Sequence, residues 1–149
     1  MGQSLSQLYV HLVFGTKGRI PTIPEAIEPE LHAYIAGILI NKESPAIKIN
    51  SVPDHIHILF RLSKNYALAK VVEDVKKNSS KWMKRQGVDG FTWQIGYGAF
   101  SVSGFHLEVI KNYIIRQKEH HKVKTFKKEV EQYIKEFDII EYDEKYFWL

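Results

Sequence analysis

The chain opens with an alternating segment. "QLYVHLVFGT" interleaves branched and aromatic residues with polar ones at the period of two that marks a strand. "KGRIPTIPE" is a turn-rich connection. The spacing then becomes helical: Leu31, Tyr34, Ile35, Ile38 and Leu39 recur at threes and fours, with Pro29 in the first turn, where its missing N–H is harmless. "AIKINSV" predicts a second strand, and Pro53-Asp54 mark the bend into a third, "HIHILFRL". The clearest helix follows. Leu68, Val71, Val72, Val75, Ser79, Trp82 and Met83 form one stripe, while Lys70, Lys76, Lys77, Lys81, Lys84 and Arg85 populate the rest. "GVDG" breaks it. "FTWQIGYGAFSVS" predicts a glycine-interrupted strand. Beyond it come a helix from about Gly104 to His121, a last helix from about Thr125 to Phe137, and the tail "DIIEYDEKYFWL".

The order β-α-β-β-α-β followed by two helices is an α+β pattern. It predicts a ferredoxin-like (RRM-like) sheet with helices on one face, plus a C-terminal tyrosine-bearing helix and a further helix. Without repeats or a low-complexity linker, residues 1–149 read as a single domain. This topology carries RNA-recognition modules and unrelated enzymes alike, so function has to come from a site.

Composition narrows the field only a little. With 44% hydrophobic and 26% charged residues the chain is an ordinary globular sequence. The absence of cysteine removes disulfides, thiolate metal sites and a cysteine nucleophile. No apolar run approaches a membrane span and no secretory signal precedes the first strand, so a cytoplasmic location is expected. Twenty-one basic against seventeen acidic side chains give +4, with a pI near 9.1, a balance that favours a polyanionic partner.

Two groups of residues carry candidate chemistry. His55 and His57 lie two apart on a strand and share a face, with Ile56 pointing to the other. Such a pair can hold one divalent cation, and it can equally be two partly exposed histidines on a wet sheet. Tyr113 and Gln117, four apart in "NYIIRQKEHH", stack on one helical face. His106 and His120 fall in the same sector, beside an apolar seam of Leu107, Ile110 and Ile114. Together these groups make a phosphoryl-transfer kit. A cation polarises a phosphate oxygen, a tyrosine hydroxyl attacks phosphorus, and an amide oxygen completes the protein ligands. A phosphotyrosine linkage conserves the energy of the broken bond, so rejoining needs no ATP.

His55-Ile56-His57 and the Tyr113-x-x-x-Gln117 spacing are the two signatures of HUH single-tyrosine transposases, the TnpA type of small bacterial insertion sequences, related to REP-associated tyrosine transposases. "VHLVFGTKGR", "PDHIHIL", "KNSSKW", "WQIGYGAFSVS", "YIIRQKEHHK" and "TFKKEVEQYIKEF" resemble that family's blocks in order along nearly the whole chain. The resemblance implies an enzyme that binds single-stranded DNA hairpins. It cleaves through a 5′-phosphotyrosine and a free 3′-hydroxyl using Mg²⁺ or Mn²⁺, and works as a homodimer whose sites are commonly completed in trans. Carried over, Tyr113 is the nucleophile and His55, His57 and Gln117 are the metal ligands. His121, four beyond Gln117, is a substitute third ligand. Gly96 and Gly98 would let the last strand and the tyrosine helix part from the body.

The DNA surface is less sharply written. Lys17, Arg19, Lys76, Lys77, Lys81, Lys84 and Arg85 are candidates to track phosphates, although a solvated helix face explains them as well. Trp93, Tyr97 and Phe100 suit either base stacking or sheet packing, and His11 lies on the first strand near the expected pair. Three rivals stand beside this reading. A non-catalytic nucleic-acid-binding module would use the same sheet. A domesticated relative would process chromosomal hairpins. A zinc hydrolase would lack a general base, since strand alternation turns Asp54 away from the pair.

Overall fold

The third strand organises the molecule. In the computed structural model, which describes residues 2–149, β3 (His55–Leu62) lies between β2 (Ala46–Val52) and β1 (Leu8–Gly15), and β4 (Gly98–Val102) closes the other edge of β1. The order β2-β3-β1-β4 is antiparallel throughout, which is the ferredoxin-like arrangement expected.

Strand alternation sorts the side chains onto two faces. Val10, Leu12 and Phe14 of β1 and Ile56, Ile58 and Phe60 of β3 point one way, into a core shared with α1 (Glu28–Asn41) and α2 (Leu68–Arg85). Their neighbours His11, Val13, His55 and His57 point the other way. On that second face lie α3 (Leu107–Ile115), α4 (Gln117–Val123), α5 (Phe126–Glu136) and the short α6 (Glu144–Phe147). The sheet is thus covered on both sides. Its ordinary apolar core faces α1 and α2, and its histidines face the C-terminal helices.

Two elements differ from the sequence reading. Strand periodicity from Phe91 to Ser103 yields a ladder only over Gly98–Val102. The carbonyls of Gln94, Ile95 and Gly96 instead accept three hydrogen bonds from Lys76 Nζ at 2.6, 2.8 and 2.9 Å. Trp93 drops into the core between Phe14 and Phe91, its indole donating to Ser79 Oγ at 2.9 Å. The second difference concerns the tyrosine helix, which is two helices. Arg116 leaves helical geometry (φ −91, ψ 15) between α3 and α4. Asn50 on β2 explains the break, since its amide donates to the carbonyls of Ile114 and Ile115 at 2.8 and 3.2 Å and so takes up the orphan acceptors of α3.

The C-terminal tail folds back on its own chain. Trp148 packs edge-on against Phe126 and beneath the Arg19 guanidinium, and Ile95 N–H donates to the Leu149 carbonyl at 3.1 Å. Gly98 is a packing position, because a Cβ there would stand 3.1 Å from both Phe100 and Val13 side chains. Among the described residues no helix is long and apolar enough to cross a membrane.

Candidate active site

Both histidines of β3 are fully buried, and each is held from behind through Nδ1. His55 Nδ1 donates to Asp54 Oδ1 at 2.7 Å, and His57 Nδ1 shares a 2.8 Å hydrogen bond with His11 Nε2. Both rings therefore present Nε2 to one point beneath the C-terminal helices. Asp54 is a correction to the strand argument. It occupies the turn before β3, so alternation does not apply to it, and its carboxylate orients the first histidine.

The point they face is occupied by a side chain the sequence reading passed over. Glu129 of α5, 4% exposed, places Oε1 3.1 Å from His57 Nε2 and 3.4 Å from His55 Nε2. Its Oε2 accepts from the Tyr113 hydroxyl, and from Gln117 Nε2 at 3.1 Å. Gln117 Oε1 stands 3.2 Å from His55 Nε2. Tyr133 of α5 donates its hydroxyl to Tyr113 Oη at 2.8 Å, and His120 stacks on the Tyr113 ring with centroids 4.6 Å apart.

Electrostatics follow from burial and these partners. Burial alone would raise the Glu129 carboxyl, but hydrogen bonds and charge from His55 and His57 outweigh it and hold the group far below the usual carboxylate range. Burial would likewise lower His55, yet Asp54 and Glu129 raise it. For His57 burial prevails and its pKa is lowered. His11 is pushed down to about 3, chiefly by burial and then by His57, so it is neutral behind the pair. Burial, reinforced by the negative Glu129, pushes the Tyr113 hydroxyl well above the usual phenol range.

The donor set suits a hard or borderline divalent cation. His55, His57 and Glu129 offer ligand atoms all within 4.8 Å of one another, and Gln117 adds an amide oxygen beside them. Imidazoles with oxygen donors fit Mn²⁺ well, and the carboxylate makes Mg²⁺ acceptable. His121 stands on the other flank of His55, and Asp54, His55 and His121 form a second group whose ligand atoms lie within 4.8 Å of one another. The His121 ring packs on the outer side of His55, with Nδ1 4.0 Å from Asp54 Oδ1.

The expected phosphate-tracking residues are scattered. Lys77, Lys81, Lys84 and Arg85 are exposed on α2, across the sheet from the histidines. Lys17 is exposed after β1, and Arg19 covers Trp148. Lys76 is turned into its own chain, and burial pushes its ammonium down to about 8. On the histidine side, Arg116, Lys122 and Lys128 are exposed on the C-terminal helices and the turn between them. A cleft of about 740 Å³ opens there between β4, α3 and α5, walled by Phe100, Val109, Tyr133 and Phe137, with Tyr113, His120 and Lys124 lining it.

Fold and site together describe a ferredoxin-like sheet that brings a histidine pair and a tyrosine into one buried cluster. A family model described as "Transposase IS200 like" matches residues 4–117, and the chain belongs to that family. Similar solved structures support the fold. A protein from Deinococcus radiodurans R1 classed provisionally as a transposase is 22% identical, with a TM-score of 0.61 over 78% of this chain and 96% of that one. A REP-associated tyrosine transposase bound to a REP hairpin is 12% identical, with a TM-score of 0.60 over 81% of this chain and 74% of that one. A search of curated proteins finds no match.

Proposed function

We propose that the chain is a single-strand DNA endonuclease and strand transferase that works through a 5′-phosphotyrosine. The observation that carries this reading is the meeting, within one chain, of the Tyr113 hydroxyl, Gln117 and the Nε2 atoms of His55 and His57 around one carboxylate, with Tyr113 itself lining an accessible cleft. The family match supports transposition as the setting. The hairpin held by the REP-associated relative supports a hairpin in single-stranded DNA as substrate.

In the proposed reaction Tyr113 Oη forms the bond to phosphorus while the bond from phosphorus to the 3′ oxygen breaks. The 3′ oxygen leaves as a hydroxyl, and the 5′-phosphate stays on Tyr113. The tyrosine proton passes by way of Glu129 Oε2, to which the hydroxyl donates, to the departing 3′ oxygen, so the carboxylate, held far below its usual range, does not keep it. A divalent cation, Mg²⁺ or Mn²⁺, held by His55, His57 and Gln117 would supply charge neutralisation at the non-bridging phosphate oxygens. Tyr133 and His120 fix the direction of the nucleophile through its hydroxyl and its ring face. Attack by a second 3′-hydroxyl reverses the sequence and joins the strands. The aromatic walls of the cleft suit unpaired bases beside the scissile phosphate.

In this reading each chain works with its own tyrosine, and a homodimer would carry two independent sites. Mixing Tyr113→Phe chains with His57→Ala chains tests this assignment. Cleavage of a labelled hairpin should stay absent in the mixture, whereas recovery of activity would show completion in trans.

A further inference from the structure

We infer that Glu129 bridges the two halves of the site, with Oε1 a protein ligand to the cation alongside His55 and His57 and Oε2 the seat of the Tyr113 hydroxyl. The inference rests on the reading of Tyr113 as nucleophile and extends it. It makes cation occupancy and nucleophile placement two ends of one carboxylate.

The geometry argues for it at both ends. Ligands on adjacent corners around a small divalent cation, each at about 2.1 Å, stand about 3 Å apart. Glu129 Oε1 is 3.1 and 3.4 Å from the two Nε2 atoms. The opposite imidazole nitrogens are already engaged by Asp54 and His11, an arrangement that orients metal-binding histidines and leaves Nε2 free for the ion. At the other end Oε2 accepts from Tyr113 and from Gln117 Nε2, so Gln117 orients the carboxylate while its own oxygen faces His55. Two neutral imidazoles and an amide would leave a buried dication with no anionic ligand, the Asp54 carboxylate standing behind His55 on its far nitrogen. Glu129 supplies one.

A purely structural role would have Glu129 serve only as an anionic partner for His55. Metal binding separates the two. Isothermal titration of the full chain with Mn²⁺ should show one site in the wild type and at least about tenfold weaker binding in Glu129→Gln. Glu129→Asp, which keeps the charge, should recover part of the loss. Circular dichroism and thermal melts confirm that each variant is folded. The second readout is the Tyr113 ring carbon in ¹³C-tyrosine-labelled protein, assigned by its loss in Tyr113→Phe. Diamagnetic Mg²⁺ should shift this resonance in the wild type and leave it unmoved in Glu129→Gln. Wild-type Mn²⁺ affinity in Glu129→Gln, with affinity lost in His57→Ala, would overturn the bridge. So would a Tyr113 resonance indifferent to Mg²⁺. Failure of the underlying reading looks different, since Glu129-dependent metal binding would persist while the wild type formed no covalent adduct with any hairpin.

Discussion

At the scale of single residues the site depends on close contacts made by side chains with no chemistry of their own. Phe126 lies flat on His55, with centroids 4.2 Å apart and planes 7° apart. It can do so because residue 15 has no side chain: a Cβ on Gly15 would stand 2.8 Å from the Phe126 ring and 3.1 Å from the Asp54 carbonyl. Gly15→Ala should therefore destabilise the fold by about 1–3 kcal/mol, measurable in urea, and weaken metal binding by displacing the ring that steadies His55. His32 carries a pH effect away from the site. Burial, then Lys118 and Lys48, push it down to about 4 from 6.5, while its Nε2 lies 2.8 Å from Ser51 Oγ. Between those pH values the unfolded chain binds a proton that the folded chain refuses, so stability should fall as pH drops through the window. His32→Gln should flatten that part of the urea midpoint against pH; an unchanged slope would contradict the assignment.

At the scale of elements, much was legible in the sequence and the failures have specific causes. The first three strands and first two helices follow from periods of two and 3.6, because each packs one face on a shared apolar core. The pairing of His55 with His57 follows from the same period. The residues from Phe91 to Tyr97 look like strand but are held as loop by the Lys76 ammonium, a tertiary contact that no local pattern announces. The break at Arg116 is hidden likewise, because its cause is Asn50 on another strand. Glu129 was within reach. It falls on the buried stripe of Phe126, Val130 and Tyr133, and a glutamate at a core position asks for a partner. Asn50→Ala should cost about 1–2 kcal/mol and speed hydrogen exchange across Arg116–His121, loosening Gln117 more than the sheet.

At the scale of the whole molecule, the sheet divides labour between its faces. One face carries the large apolar core with α1 and α2, and the other carries the histidines, the tyrosine and the cleft. A strand whose phosphate reaches Tyr113 would have to lie on the second face, whose helices carry exposed Arg116, Lys122 and Lys128, and not across the basic side of α2. Changing those three to Gln should weaken single-stranded DNA binding and reduce the slope of log affinity against log salt by about 2. The triple change of Lys77, Lys81 and Lys84 should do less. The reverse order would place the DNA across α2.

The proposed reaction stands or falls on Tyr113 becoming covalently joined to DNA. The most direct measurement is tandem mass spectrometry of a tryptic digest after incubation with a single-stranded hairpin library and Mn²⁺, followed by nuclease trimming. The tyrosine lies in the short peptide from Asn112 to Arg116, "NYIIR". A nucleotide 5′-phosphate is expected on Tyr113, dependent on the metal and absent in His57→Ala. Cleaved DNA with free ends and an unmodified Tyr113, or an adduct on another residue, would contradict it.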